Sequence, residues 1–171
     1  MFTRRVAATS SRAALACLLL SPTLIPAAAD AATATTTMPV TMTITAGCTV
    51  SATAVAFGTQ STLSSATTAT GTLSVTCTNT TPYNVGLDTG SGAGATIAVR
   101  KMTGPASAII NYGLYQNAAL TTVFGNTVGT NTVAGTGIGT AQTITVYGEV
   151  PAQASPAPGS YADVVNVTVT F

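Results

Sequence analysis

From Val165 to Phe171 the chain alternates without a break. Val165, Val167, Val169 and Phe171 are apolar, and Asn166, Thr168 and Thr170 stand between them. A period of two places one set of side chains on one face of a pleated strand; it cannot line one side of a helix. The pattern recurs in Leu73, Val75 and Cys77, and again in Met38, Val40, Met42 and Ile44, whose partners are Pro39, Thr41, Thr43 and Thr45. No stretch shows a sustained helical period with caps. Short alternating strands divided by turn residues predict an all-β sandwich.

Thr occupies the positions where charge is usual. The 171 residues are 46% apolar and only 5% charged, against about 25% charged in an ordinary soluble domain. β-branched side chains suit both faces of a pleated sheet, so Thr can replace charge on the outer one. There is no His and no Trp, which excludes imidazole metal sites and His-based catalysis. Beyond the N-terminus only Arg100-Lys101 is basic, so no nucleic-acid footprint exists.

Residues 1–29 read as an export signal. Arg4, Arg5 and Arg12 are basic, Ala13 to Leu20 is apolar, Pro22 breaks the run, and Ala27-Ala28-Ala29 suits cleavage before Asp30. The apolar run is shorter than the roughly 20 residues that a membrane span needs. Cys17 does not make a lipobox, because too little apolar sequence separates it from Arg12 and Ala14 is a poor start. Cleavage leaves Arg100 and Lys101 against Asp30, Asp88, Glu149 and Asp163, a formal net charge of −2. It also leaves two cysteines, Cys48 and Cys77, which an oxidising compartment is expected to pair; two buried free thiols are the alternative.

Along the exported chain, Ala31 to Thr37 is a Thr/Ala tract without a core-forming residue, flexible if unpaired. Strands are expected over Met38–Thr45, Cys48–Phe57, Gly71–Thr78, Tyr83–Leu87, Thr96–Met102, Ala108–Gln116, Gln142–Val150 and Asp163–Phe171. Pro39 restricts the first of these to an edge or a terminal position. Thr59–Thr70, Asp88–Gly94, Asn117–Ala141 and Pro151–Ser160 read as connections.

Few residues could carry chemistry. Asp88-Thr89-Gly90-Ser91 matches the aspartic-protease triplet but reads as a turn. Gly135-Thr136-Gly137-Ile138-Gly139 lacks the Walker lysine and a following helix, and reads as a flexible loop. Cys48 and Cys77 have no His base, and Glu149 is a lone carboxylate. Arg100-Lys101 is expected on a solvated strand face. Tyr112, Tyr115, Tyr147 and Tyr161 could stack on sugar, but such residues more often belong to the core or its rim. No enzyme, metal or cofactor reading follows.

Together the segments resemble the spore coat protein U domain, the subunit family of archaic, Csu-type chaperone–usher pili. The matching residues are Cys48-Thr49-Val50, Phe57-Gly58, Gly71 to Cys77, Arg100-Lys101-Met102, Ile110 to Tyr115, and Phe124-Gly125, where the family often has Trp-Gly. Val146-Tyr147-Gly148, Val150-Pro151-Ala152-Gln153, Gly159 to Asp163 and Val167 to Phe171 are the most specific. The resemblance covers about residues 38–171.

It implies an immunoglobulin-like β-sandwich missing its last strand, completed by donor-strand complementation. It also implies a periplasmic chaperone that lends a strand beside Val165, Val167, Val169 and Phe171 and holds the terminal carboxylate with basic residues, and a pore-forming outer-membrane usher. The sequence agrees: the last strand is apolar and has no successor, and Met38, Val40, Met42 and Ile44 form an extra strand ahead of Cys48. An incomplete sandwich with an open edge invites strand addition. The expected organisation is a signal peptide over 1–29, an extension and donor strand over 30–46, and a pilin domain over 47–171. The expected product is a head-to-tail polymer at the cell surface, supporting adhesion and biofilm. Alternatives are a secreted coat or matrix protein that does not polymerise, a sugar-binding adhesin module, or an ordinary first strand over Met38–Ile44.

Overall fold

The computed structural model describes residues 30–171; the expected export signal lies outside them. The chain divides into two compact units, Met1–Thr41 and Met42–Phe171. In the first, residues 30–41 form no strand, and Met38 and Val40 are exposed.

The second unit holds eight strands: β1 (Cys48–Ala52), β2 (Thr67–Cys77), β3 (Pro82–Leu87), β4 (Arg100–Thr103), β5 (Ile109–Tyr115), β6 (Val133–Thr136), β7 (Gln142–Val150) and β8 (Val167–Thr170). They make a five-stranded sheet in the order β1-β2-β7-β5-β4 and a three-stranded sheet in the order β6-β3-β8, with every pairing antiparallel. This is an all-β, immunoglobulin-like sandwich. Leu73, Val75, Val146 and Leu114 face inward from the larger sheet; Tyr83, Val85 and Leu87 meet them from the smaller, and Phe124 seals the space between. Cys48 and Cys77 form a disulfide between directly opposed residues of β1 and β2.

Several elements differ from expectation. β2 begins at Thr67, inside the expected loop, because Thr67 and Thr68 pair with Val150 and Glu149; Thr on both faces conceals the alternation. β6 lies where a flexible loop was expected. Gly135 stands opposite Tyr83 and its missing side chain is what admits the Tyr83 ring, so a glycine that reads as loop serves a ladder. β4 starts only at Arg100, since Thr96 and Val99 close a local turn through the Thr96 hydroxyl. Met42–Thr45 form no strand, and Met42 and Ile44 are exposed.

Arg100 corrects the reading of a solvated strand face. It is 0% exposed. Its guanidinium donates to the carbonyls of Asp88, Ile97, Leu87 and Phe124 at 2.7–3.2 Å. A planar, five-donor head can satisfy four carbonyls at once, which an apolar side chain could not. Burial lowers its pKa, with Tyr112, Asp88 and Asp163 opposing the change.

Candidate functional site: an open apolar cleft

β1 ends at Ala52, and residues 53–57 cross the face of the larger sheet. Val55 and Phe57 lie directly over Gly71 of β2 and Gly148 of β7, where any Cβ would collide with them. These two glycines let the segment pass close to the sheet. Ala52–Phe57 then forms one wall of a cleft of about 350 Å³, facing Tyr161–Val167. The floor is core: Leu73, Leu87, Leu114 and Val146. A second hollow of about 820 Å³ continues between residues 55–63 and 155–161. The two share Val55, Phe57, Met102 and Tyr161, so they form one continuous trough.

β8 borders this trough. Among the described residues it pairs on one side only, with β3 from Asn84↔Thr170 to Leu87↔Val167. Val165, Val167 and Val169 are half-buried against the core, and Phe171 is exposed. An open ladder edge beside an apolar floor offers backbone hydrogen bonds and side-chain pockets together.

Side-chain carboxylates reinforce the ladder where β8 begins, beside the backbone bond from the Asp88 amide to the Asn166 carbonyl. Asp88 accepts from the Gly90 amide, the Asn166 amide and the Asn166 side chain. Asp163 accepts from the Ser91 amide and hydroxyl, the Val164 amide and the Tyr112 hydroxyl, all at 2.7–2.8 Å. Burial pushes both carboxyls up, but these donors outweigh it and hold them below the usual carboxylate range. Burial, and then the bond to Asp163, hold the Tyr112 phenol well above its ordinary value. The Asp88-Thr89-Gly90-Ser91 segment is thus a turn whose carboxylate is saturated with donors and fixes the entry to β8.

The opposite end of the trough is braced by Gln153. Continuing the β5–β7 register would set Asn111 against Pro151, which has no amide to give. Gln153 supplies the missing pair: its Oε1 accepts from the Asn111 amide at 3.1 Å and its Nε2 donates to the Asn111 carbonyl at 2.9 Å. The Gln153 amide then bonds the Leu63 carbonyl, and the Leu63 amide bonds the Ser155 hydroxyl. Both rims of the wider hollow are therefore tied together. Sequence reasoning missed Arg100, Asp88, Asp163 and Gln153 as positioning groups; the Val150-Pro151-Ala152-Gln153 run was the available signal.

The four tyrosines do not make one platform. Tyr112 is core and Tyr161 lines the trough, donating to the Ala157 carbonyl. Tyr115 and Tyr147 are half-buried and face each other across β5 and β7. Asp163 is the one charged residue lining either hollow among the described residues.

Known proteins give three likenesses. The fold resembles that of the CsuC–CsuE chaperone–tip adhesion subunit pre-assembly complex from archaic chaperone-usher Csu pili of Acinetobacter baumannii, with a TM-score of 0.56 and 24% identity over 75% of this chain and 40% of that one. Protein U of Myxococcus xanthus is 37% identical over 107 residues, 60% of this chain and 59% of that protein. The chain thus spans less than two thirds of either relative's length. Residues 34–168 match the Spore Coat Protein U domain, and the chain belongs to that family.

Proposed function

We propose that this chain is a structural subunit of an archaic chaperone–usher pilus that polymerises by donor-strand exchange into surface fibres for adhesion and biofilm formation. The family and its fold are structural rather than enzymatic. The observation that carries the reading is the pairing of two complementary parts in one molecule. One is an apolar trough along the unpaired edge of β8. The other is the exposed alternating segment Met38, Val40, Met42 and Ile44.

On this reading residues 1–29 are a signal peptide, 30–46 an extension that donates a strand, and 47–171 the domain that accepts one. Met38, Val40, Met42 and Ile44 enter a neighbour's trough. Burying them contributes roughly 1.5–3 kcal/mol each, or about 6–12 kcal/mol gross, less the cost of ordering the segment. Thioether side chains adapt to an irregular floor. Head-to-tail insertion is heterologous and builds an open filament. Before assembly a periplasmic chaperone covers the trough beside Val165, Val167, Val169 and Phe171, and an outer-membrane usher exports the subunit. The solved complex of similar fold joins a chaperone to a pilus subunit, which supports that order of events.

Val40→Asp with Met42→Asp tests the reading. Export and chaperone binding persist while subunit–subunit assembly fails, measured by electron microscopy of the cells and by pull-down of the periplasmic subunit. Normal fibres from the double variant refute insertion through this segment.

A further inference from the structure

We infer that the inserted ribbon is longer than Met38–Ile44 and begins at Ala32, so that the Thr/Ala tract of one copy enters the trough of the next. This inference rests on the donor-strand reading above and adds the tract to it.

The first observation is size. The trough joins a cleft of about 350 Å³ to a second hollow of about 820 Å³. An extended strand covers roughly 3.3 Å per residue, so Met38–Ile44 spans roughly 23 Å. Its four large side chains can fill the cleft and leave the second hollow without an occupant.

The second observation is which flank can fill it. Downstream of Ile44 only Thr45, Ala46 and Gly47 precede Cys48. Cys48 is already the first residue of β1 and is bonded to Cys77 in its own domain. Those three residues must serve as the link between one subunit and the next. Added length can come only from upstream.

The third observation is that the period of two does not stop at Met38. Thr33, Thr35, Thr37, Pro39, Thr41, Thr43 and Thr45 occupy every odd position. The even positions read Ala32, Ala34, Thr36 and then the four large apolar residues. The chain from Ala32 to Thr45 is one two-faced ribbon, small at its start and large at its end. One face is Thr except at Pro39, as on the solvated strands of the domain itself. Nothing in it is charged after Asp30, and the wider hollow has no charged lining residue. Residues 30–41 form no strand within the chain, which leaves their backbone groups available to a partner copy.

The occupant is thus a second copy of this chain, residues 32–44, with Ala32, Ala34 and Thr36 facing in. Three variants of the full chain test this, each replacing the native copy in its own host: Ala34→Asp on the inward face, Thr35→Asp on the outward face, and Met42→Asp. Fibre yield is read as polymer resistant to detergent, and the disulfide-bonded monomer in the periplasm reports export and folding. Ala34→Asp is expected to lower fibre yield about tenfold or more by forcing a carboxylate into the trough, while Thr35→Asp stays near the wild-type level. If Ala34→Asp and Thr35→Asp both assemble while Met42→Asp does not, the tract lies outside the trough and this inference is overturned, with donor-strand exchange intact. Equal loss in both variants of the tract also overturns it, since a facing ribbon must discriminate them. Fibres from Met42→Asp overturn the underlying reading instead.

Discussion

The Tyr112 hydroxyl donates to Asp163 Oδ2 across 2.7 Å. Tyr112 belongs to the five-stranded sheet and Asp163 to the chain that enters β8 of the three-stranded one. The bond therefore ties the two sheets together at the border of the trough. Tyr112→Phe removes one of four donors to Asp163 and should cost about 1.5–3 kcal/mol, as a hydrogen bond to a charged group does. Urea denaturation of the purified subunit gives the cost. Hydrogen exchange should quicken at Ala162–Asn166 before it quickens in β2.

Acid should destabilise the fold through Asp88 and Asp163. Their folded pKa values lie below the usual carboxylate value, and an unfolded Asp titrates near about 3.9. The unfolded chain then binds protons more readily, so their contribution is present above that value and is lost as pH falls through the folded pKa values. Tyr112 is shifted upward, so its contribution holds below about 10 and is lost as pH rises beyond it. The urea midpoint should stay flat between about pH 5 and 9, since no His titrates there. Asp88→Asn with Asp163→Asn should shrink the acid limb; an unchanged limb would place its origin elsewhere.

Arg100→Met should be among the most damaging single changes. It leaves the carbonyls of Leu87, Asp88, Ile97 and Phe124 without their donor inside the protein, at a cost of about 3–5 kcal/mol. Arg100→Lys should rescue only part of that, because a point ammonium cannot reach four carbonyls arranged around a planar fork. Thermal melting of the three proteins orders them, and equal midpoints for Lys and Arg would contradict the assignment.

Cys48→Ser with Cys77→Ser should destabilise the domain by about 3–4 kcal/mol in the chain-entropy model, given 29 residues of separation. Reduction of the native protein should match the double variant in its denaturation midpoint.

Most strands were legible because one face of each is buried and carries Val, Leu or Ile. β7 runs from Gln142 to Val150, as its alternation predicts, and β3 and β5 are displaced by a residue or so. The failures share a cause in long-range packing. Thr67–Thr70 and Val133–Thr136 resemble loops in isolation, and only their partners β7 and β3 make them strands. The trough was legible in outline, from the open last strand and the early alternating segment. Its positioning groups were not. Nothing beside Arg100 in the sequence tells that three distant carbonyls converge on it with that of Ile97, and nothing in Gln153 tells that Asn111 lies within reach. Tertiary placement decides such roles, and local pattern does not carry them.

The disulfide joins the first residue of β1 to the last residue of β2. In a fibre of the proposed kind, tension arriving along Thr45-Ala46-Gly47 would first meet the bonds from Thr78 to the Thr45 and Gly47 carbonyls and then that covalent bond, ahead of the rest of β1. Without it, a pull on this end would peel β1 away one rung at a time. With it, the load passes straight into β2, flanked on both sides by strands of the larger sheet. A string of such subunits would resist stretching at its joints through a sulfur–sulfur link backed by a whole sheet.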